Sequence, residues 1–300
     1  MKKKTYLFAL MAMALTLGSC SDNENGIGGE TSKYIIVSTS IGNMTRVATD
    51  EKGGQTFEEG DEISVYAWTG DATVAPETRE RVVNNAINKL TNGSWISNPQ
   101  MLWKNNRDKH YFIGVYPISA ISDLSAGEYT FDETKQVESD LLVAVNKDGL
   151  SYNVDEQQTV PLTFTHVMAK LVVNLTYKNQ WGGIPTVEKV VVGNAAKEAT
   201  INYLTKVVTP STTAKEDFSL PEITENTKYV SVIIPQEDVK QLTIVIGGKN
   251  FVYDNGTPFK LESGKITTVN LEVGRDEIKL GDVKITNWED GSTFSGEALN

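Results

Sequence analysis

Of 300 residues, one is a cysteine and two are histidines. A single thiol forms no disulfide within the chain. His110 and His166 stand far apart, and neither belongs to an H-E-x-x-H zinc site. Basic charge is also short: 28 Lys and Arg against 39 Asp and Glu leave a net charge of −11. Nucleic-acid binding rests mainly on Lys and Arg neutralising phosphates, so this balance argues against it. It argues equally against a polybasic hold on a membrane surface. No apolar run reaches the roughly 20 residues of a spanning helix. A G-x-S-x-G elbow, a phosphate loop and a dinucleotide fingerprint are all missing, and no spacing singles out a pair of carboxylates. Asp22-Asn23-Glu24-Asn25-Gly26 lacks the later ligands of a calcium loop. The chain is therefore not expected to be an enzyme, to bind a metal or to carry a cofactor.

What is present begins with Lys2, Lys3 and Lys4 ahead of the apolar run Thr5 to Leu17, a pattern that fits a secretory signal. Leu17-Gly18-Ser19-Cys20 resembles the lipobox of bacterial lipoproteins, in which the cysteine carries diacylglycerol and the preceding peptide is removed. The alternative is an ordinary signal peptide with an incidental cysteine. Removing Lys2, Lys3 and Lys4 takes the charge three lower, from −11 to −14, so the expected tether to the outer membrane is the lipid on Cys20. Residues 21–32, SDNENGIGGETS, read as a flexible linker.

Beyond residue 32 the chain is written in short strands. Tyr34 to Ile41 is rich in β-branched residues, and Ile63, Val65 and Ala67 alternate with Ser64, Tyr66 and Trp68. Leu141 to Val145 is an unbroken apolar run, as in a strand covered on both faces. Asn92-Gly93, Asp148-Gly149 and Asn255-Gly256 mark expected turns, the last between Phe251-Val252-Tyr253 and Pro258 to Leu261. Further strands are expected around Leu171 to Leu175, Val190 to Val192, Tyr229 to Ile234, Leu242 to Ile246 and Ile266 to Leu271. Many short strands with turns between them predict an all-β sandwich or barrel. One stretch pulls the other way: from Glu77 to Leu90, Val82, Val83, Ala86, Ile87 and Leu90 fall at helical spacing, while Asn84, Asn85 and Asn88 oppose a helix, so the segment stays open. A polar, turn-rich stretch places the boundary between residues 33–157 and 158–300, each the size of one sandwich.

Two segments carry a family resemblance. Thr56-Phe57-Glu58-Glu59-Gly60-Asp61-Glu62-Ile63-Ser64-Val65 is similar to the F-x-x-G-D-x-I-x-V segment of fimbrillin-like lipoproteins, the type V pilin superfamily of anaerobic Gram-negative bacteria. Phe164-Thr165-His166-Val167-Met168-Ala169-Lys170-Leu171-Val172-Val173 resembles its F-x-H-x-x-A-K-L-x-V segment, and Asn92 to Trp95, Trp103 and Tyr111 to Pro117 match its hairpin tryptophan and its aromatic strand ending in Tyr-Pro. The resemblance implies two transthyretin-like β-sandwich domains in tandem, in a surface lipoprotein of the outer membrane assembled with other subunits into fimbriae that support adhesion. It also implies an arginine-specific protease that cuts after an arginine in the loop following the first strand. Here that bond is Arg46-Val47, unless Arg46 is an ordinary loop residue.

Withdrawing a first strand from a sandwich leaves unpaired edge groups and an apolar groove, and an incoming strand of similar alternation relieves both. The tail 276–300 supplies a candidate. Ile278 and Leu280 share one face, and after Gly281-Asp282 the phase shifts so that Val283 and Ile285 share a face, as in a bulged strand, with Trp288 and Phe294 as anchors. The same tail reads equally as the last strand of the second domain. A rival function is glycan binding by Trp68, Trp95, Trp103, Trp181 and Trp288 with the tyrosines, although aromatics on sandwich strands are more often core. A non-polymerising fimbrial anchor or tip adhesin is the remaining alternative.

Overall fold

Ile35 and Val37 turn inward while Ile36 and Ser38 turn outward, the period of two that a strand imposes, and they lead into β1 (Ile36–Ile41). A computed structural model describes residues 33–42, 56–254 and 256–288. After β1 come β2 (Glu62–Thr69), β3 (Arg81–Thr91), β4 (Ser94–Asn98), β5 (His110–Tyr116), β6 (Gly127–Thr130), β7 (Leu142–Leu150) and β8 (Thr159–His166). All of these but β6 form one seven-stranded sheet, in the order β1-β8-β7-β5-β2-β3-β4. Its neighbours run antiparallel except β1 and β8, which are parallel from Ile36 opposite Thr159 to Ile41 opposite Phe164. The sheet curls until its two ends meet. Trp95 Nε1 on β4 donates to Thr39 Oγ1 on β1 at 2.9 Å, and beside them the Ile35 N–H donates to the Met101 carbonyl at 3.0 Å.

Inside the curl lies a core of Ile35, Val37, Ile63, Val65, Val83, Phe112, Leu142, Leu162 and Phe164. The opposite face of the same sheet is covered too, through Tyr66, Trp68, Ile113, Val115 and Val143. Leu142 to Ala144 is therefore buried on both sides, as the unbroken apolar run requires.

The rest of the chain forms β9 (Ala169–Tyr177), β10 (Val187–Ala196), β11 (Glu198–Asn202), β12 (Val207–Pro210), β13 (Lys215–Ser219), β14 (Glu222–Thr224), β15 (Lys228–Ile233), β16 (Gln241–Ile246), β17 (Lys249–Asp254), β18 (Lys265–Val273) and β19 (Ile278–Asn287). A four-stranded sheet β13-β10-β16-β17 and a five-stranded sheet β14-β15-β9-β18-β19 share one core: Val190, Val192, Leu242 and Ile244 from the first, Leu171, Val173, Val232, Val269 and Leu271 from the second. A small sheet β12-β11-β6 ties β6 to residues seventy positions later. That is an all-β chain of packed sheets, as the strand and turn pattern predicts, and no α-helix occurs among the described residues.

One open segment is resolved and two local readings change. Glu77 to Leu90 is not helical: after a single 3-10 turn at Thr78–Glu80 it forms β3, with Asn85 at φ 55°. One extra residue bulges there, since Val65 faces Ala86 and Ala67 faces Val83. The inward positions Val83 and Ala86 thus lie three apart, which imitates helical spacing. Asp148-Gly149 lies within β7, where Gly149 takes φ 66° beneath the Tyr111 ring, and makes no chain reversal. Pro258 to Leu261 does not pair with β17; Leu261 bridges Gln236, and the hairpin partner of β17 is β16, joined through Gly247-Gly248 at φ 57° and 72°. Near the expected boundary at 157/158, β8 begins at Thr159 and completes the seven-stranded sheet of the first half.

Candidate functional site

β1 occupies an end of its sheet for a reason visible in its own residues. Ile35 and Val37 are buried and Ser38 and Ser40 are exposed, so one face of the strand seals the core while its free edge looks toward β4. Along that edge runs a groove of about 820 Å³ lined by Tyr34 to Ile41, Phe57, Leu90 and Trp95. Phe57 forms its floor, meeting Trp95, Tyr116 and Phe164 edge-on at centroid distances of 5.3, 5.4 and 5.1 Å. None of the described residues lining the groove is charged, in a chain of net charge −11. Tyr34, Ile36, Ile96 and Leu102 leave apolar surface exposed at its rim. Two sheet edges and a neutral apolar floor suit an extended backbone better than a polar small molecule.

The other end of the described chain is held differently. β19 pairs antiparallel with β18 at the edge of the five-stranded sheet, and none of its ten residues is buried. Ile278 and Leu280 pack partly against the core, while Val283 and Ile285 are 37% and 41% exposed. The register slips between Val269 opposite Val283 and Leu271 opposite Leu280, so the Gly281-Asp282 phase shift is a bulge facing Asn270. Trp288, the next residue after β19, is fully buried. Its indole stacks on His166 with centroids 4.1 Å apart and planes 11° from parallel. His166 Nδ1 is 2.7 Å from Asp140 Oδ1, and Lys170 Nζ lies 5.5 Å from the centre of the indole. Burial pushes the Lys170 amine below its ordinary pKa, and the Asp140 carboxylate partly opposes the shift.

Of the residues singled out from sequence, Cys20, Arg46, Val47 and Phe294 lie outside the described residues. Ile278, Leu280, Val283 and Ile285 come together on β19, and Trp288 anchors in a pocket of its own chain. Among the described residues the five tryptophans form no common platform: Trp68, Trp103 and Trp288 are buried, Trp95 is bound to Thr39, and Trp181 donates to the Val273 carbonyl and packs on Phe251. Among the described residues no His, Cys, Asp or Glu grouping could hold a metal, and no helix is long and apolar enough to cross a membrane.

A sequence model of the fimbrillin-like family matches residues 45–288. The chain belongs to this family. Its sequence is 24% identical over 315 residues, covering 97% of both chains, to a Bacteroides uniformis protein named as a fimbrium subunit, Fim1C. The fold is shared with Bacteroides uniformis and Bacteroides ovatus proteins named as cell adhesion proteins, each at TM-score 0.60 and 17% identity over 86% of this chain and 100% or 99% of theirs. A fimbrial protein of Bacteroides vulgatus follows at TM-score 0.53 and 11% identity, with 86% and 100% coverage. As a member of the fimbrillin-like family the chain is a structural protein and not an enzyme.

Within this fimbrillin-like chain, sequence reasoning missed Thr39, Asp140 and Lys170 as partners of the two terminal strands. Asp140 leaves a signal in hindsight, a carboxylate set directly against the apolar run Leu141 to Val145. Thr39 leaves none, because its partner Trp95 is 56 residues away.

Proposed function

We propose that this protein is a polymerising subunit of surface fimbriae, exported as a lipoprotein through Cys20 and matured by cleavage of the Arg46-Val47 bond. An arginine-specific protease makes the cut, which removes Cys20 with its lipid together with β1, and another subunit inserts a strand of its tail, residues 276–300, where β1 stood. The other fimbrial subunits are its partners, and the fimbrium on the outer membrane is its working location.

The observation that carries this reading is the way β1 is attached. It is the first strand described, it runs parallel to β8 and so is joined to its neighbour by no hairpin, and Arg46 follows its last residue by five positions. Its loss would uncover Leu162, Phe164 and Phe57 and leave the β8 edge unpaired, costs that an incoming strand with period-two alternation would offset. Ile278 with Leu280, and Val283 with Ile285, have that alternation on either side of the bulge, and none of the four is fully buried at home.

Mass spectrometry of the mature N-terminus, on protein taken from the cell surface, tests the reading. Wild type should begin at Val47, and Arg46→Ala should keep lipid on Cys20 and fail to polymerise. A chain that begins at lipidated Cys20 in every fraction would overturn it in favour of a lipid-retaining anchor. Cys20→Ala should abolish membrane partition of the precursor, and unchanged partition would remove the lipid from the account.

A further inference from the structure

Trp288 contrasts with everything before it on β19. Ten residues of that strand bury no side chain fully, and the eleventh position buries the largest side chain available. Its backbone N–H donates to the Gly264 carbonyl at 3.1 Å, so the ring is fixed at both its root and its face. Two residues of the run Phe164 to Val173 form the seat: His166 stacks beneath the indole and Lys170 lies over it, while Asp140 holds His166 from the side. The seat is also incomplete. Trp288 Nε1 and His166 Nε2 are buried and have no hydrogen-bond partner among the described residues. Both would regain water on release, which lowers the cost of opening.

The position of His166 gives this seat a second connection. It is the last residue of β8, the strand that also carries β1. β1 pairs with β8 through six positions, Thr159 to Phe164, whereas β7 pairs with it through only three, Phe164 to His166. The Phe164 carbonyl further accepts the Gly42 N–H at 2.8 Å. Without β1, residues 159–163 of β8 would keep no partner strand, and His166 would sit at the end of a strand held by its final three residues.

We infer that Trp288 seated on His166 is a latch that keeps β19 on its own body, and that β8 links this latch to β1, so that loss of the first strand frees the last one. The inference rests on the strand-exchange reading for its purpose but not for its test. Its consequence is order: a subunit whose acceptor groove is still filled by its own β1 also withholds its donor strand, and premature assembly is blocked at both ends.

Hydrogen exchange on the full-length, uncut chain tests it. In Trp288→Ala the amides of residues 278–287 should exchange at least ~10-fold faster while those of β9 keep wild-type protection. Trp288→Leu, which keeps apolar bulk and loses the stack, should do the same and covers the case in which the alanine variant fails to fold. Wild-type protection of β19 in a folded Trp288 variant overturns the latch. Val37→Ala, which loosens β1 within the sheet, should accelerate exchange in β19 as well as in β1. Faster exchange in β1 with β19 unmoved overturns the link through β8. A cut chain that frees its tail yet stays monomeric would leave the latch standing and remove the strand-exchange reading instead.

Discussion

Gly114 on β5 faces the ring of Phe164 on β8 so closely that a Cβ built at Gly114 would stand 2.6 Å from Phe164 Cζ and 3.1 Å from Leu162 Cδ1. The strand between them, β7, carries Ala144 opposite both, and the two small residues let the large ring lie across β7 toward β5. Gly114→Ala should therefore force the ring out of place and destabilise the chain by about 1–3 kcal/mol, the usual cost of overpacking. The check is a urea midpoint that falls while the slope of the transition is unchanged.

The bond from Trp95 Nε1 to Thr39 Oγ1 spans the free edges of β1 and β4. Thr39→Val keeps the shape and removes the acceptor, leaving a partly buried indole N–H unpaired. The expected loss is about 1–2 kcal/mol, with β1 amides exchanging faster than those of β5. Equal protection in the two strands would mean that the bond does not hold the groove shut.

His110 is buried beside Trp103. Its Nε2 accepts the Lys104 N–H at 3.1 Å, and Nδ1 lies 3.1 Å from the Asp108 carbonyl, the pattern of a neutral ring. Burial pushes the imidazole below its ordinary pKa, with Asp108 opposing. Below about pH 6.5 the unfolded chain then binds more protons than the folded one, so this contribution is complete above that pH and is lost as pH falls. The drop in urea midpoint between pH 8 and pH 5 should be smaller in His110→Gln than in wild type. An identical drop would place the acid sensitivity elsewhere.

Ile285→Asp separates packing from assembly. The side chain is 41% exposed at the edge strand, so the monomer should lose no more than about 1 kcal/mol. A donated β19 would carry the same aspartate into an apolar groove, where an unpaired charge is far more costly, and fimbrial length on the cell surface should collapse. Normal fimbriae from this variant would take β19 out of the exchanged segment.

The elements that could be read from sequence are those whose burial repeats along the chain. The β-branched run Tyr34 to Ile41, the unbroken Leu141 to Val145 run and the phase shift at Gly281-Asp282 each report on their own neighbours, and they correspond in turn to β1, to the doubly covered β7 and to the bulge of β19. β3 was legible only in part, because a bulge near Asn85 adds one residue and turns a period of two into a spacing of three. Trp288 stands out in the tail as a candidate anchor for a donated strand, but the pocket it fills in its own chain depends on His166 and Lys170, more than a hundred residues earlier, and no local pattern encodes that distance. The same limit hid the groove, whose walls come from residues 34–41 and 90–97.

The parallel seam of β1 also bears on when the chain can fold. Ser40 meets Thr163 across 123 residues, so β1, the first of the described strands, has no ladder partner until more than a third of the protein has followed it. Contacts of such long sequence separation are slow to close and leave strand edges open to wrong pairing in the interval. β1 is thereby expected to dock late, after the antiparallel hairpins of β2 to β5 have formed. A strand that docks late forms its ladder against a sheet already built, which is consistent with the proposed strand exchange.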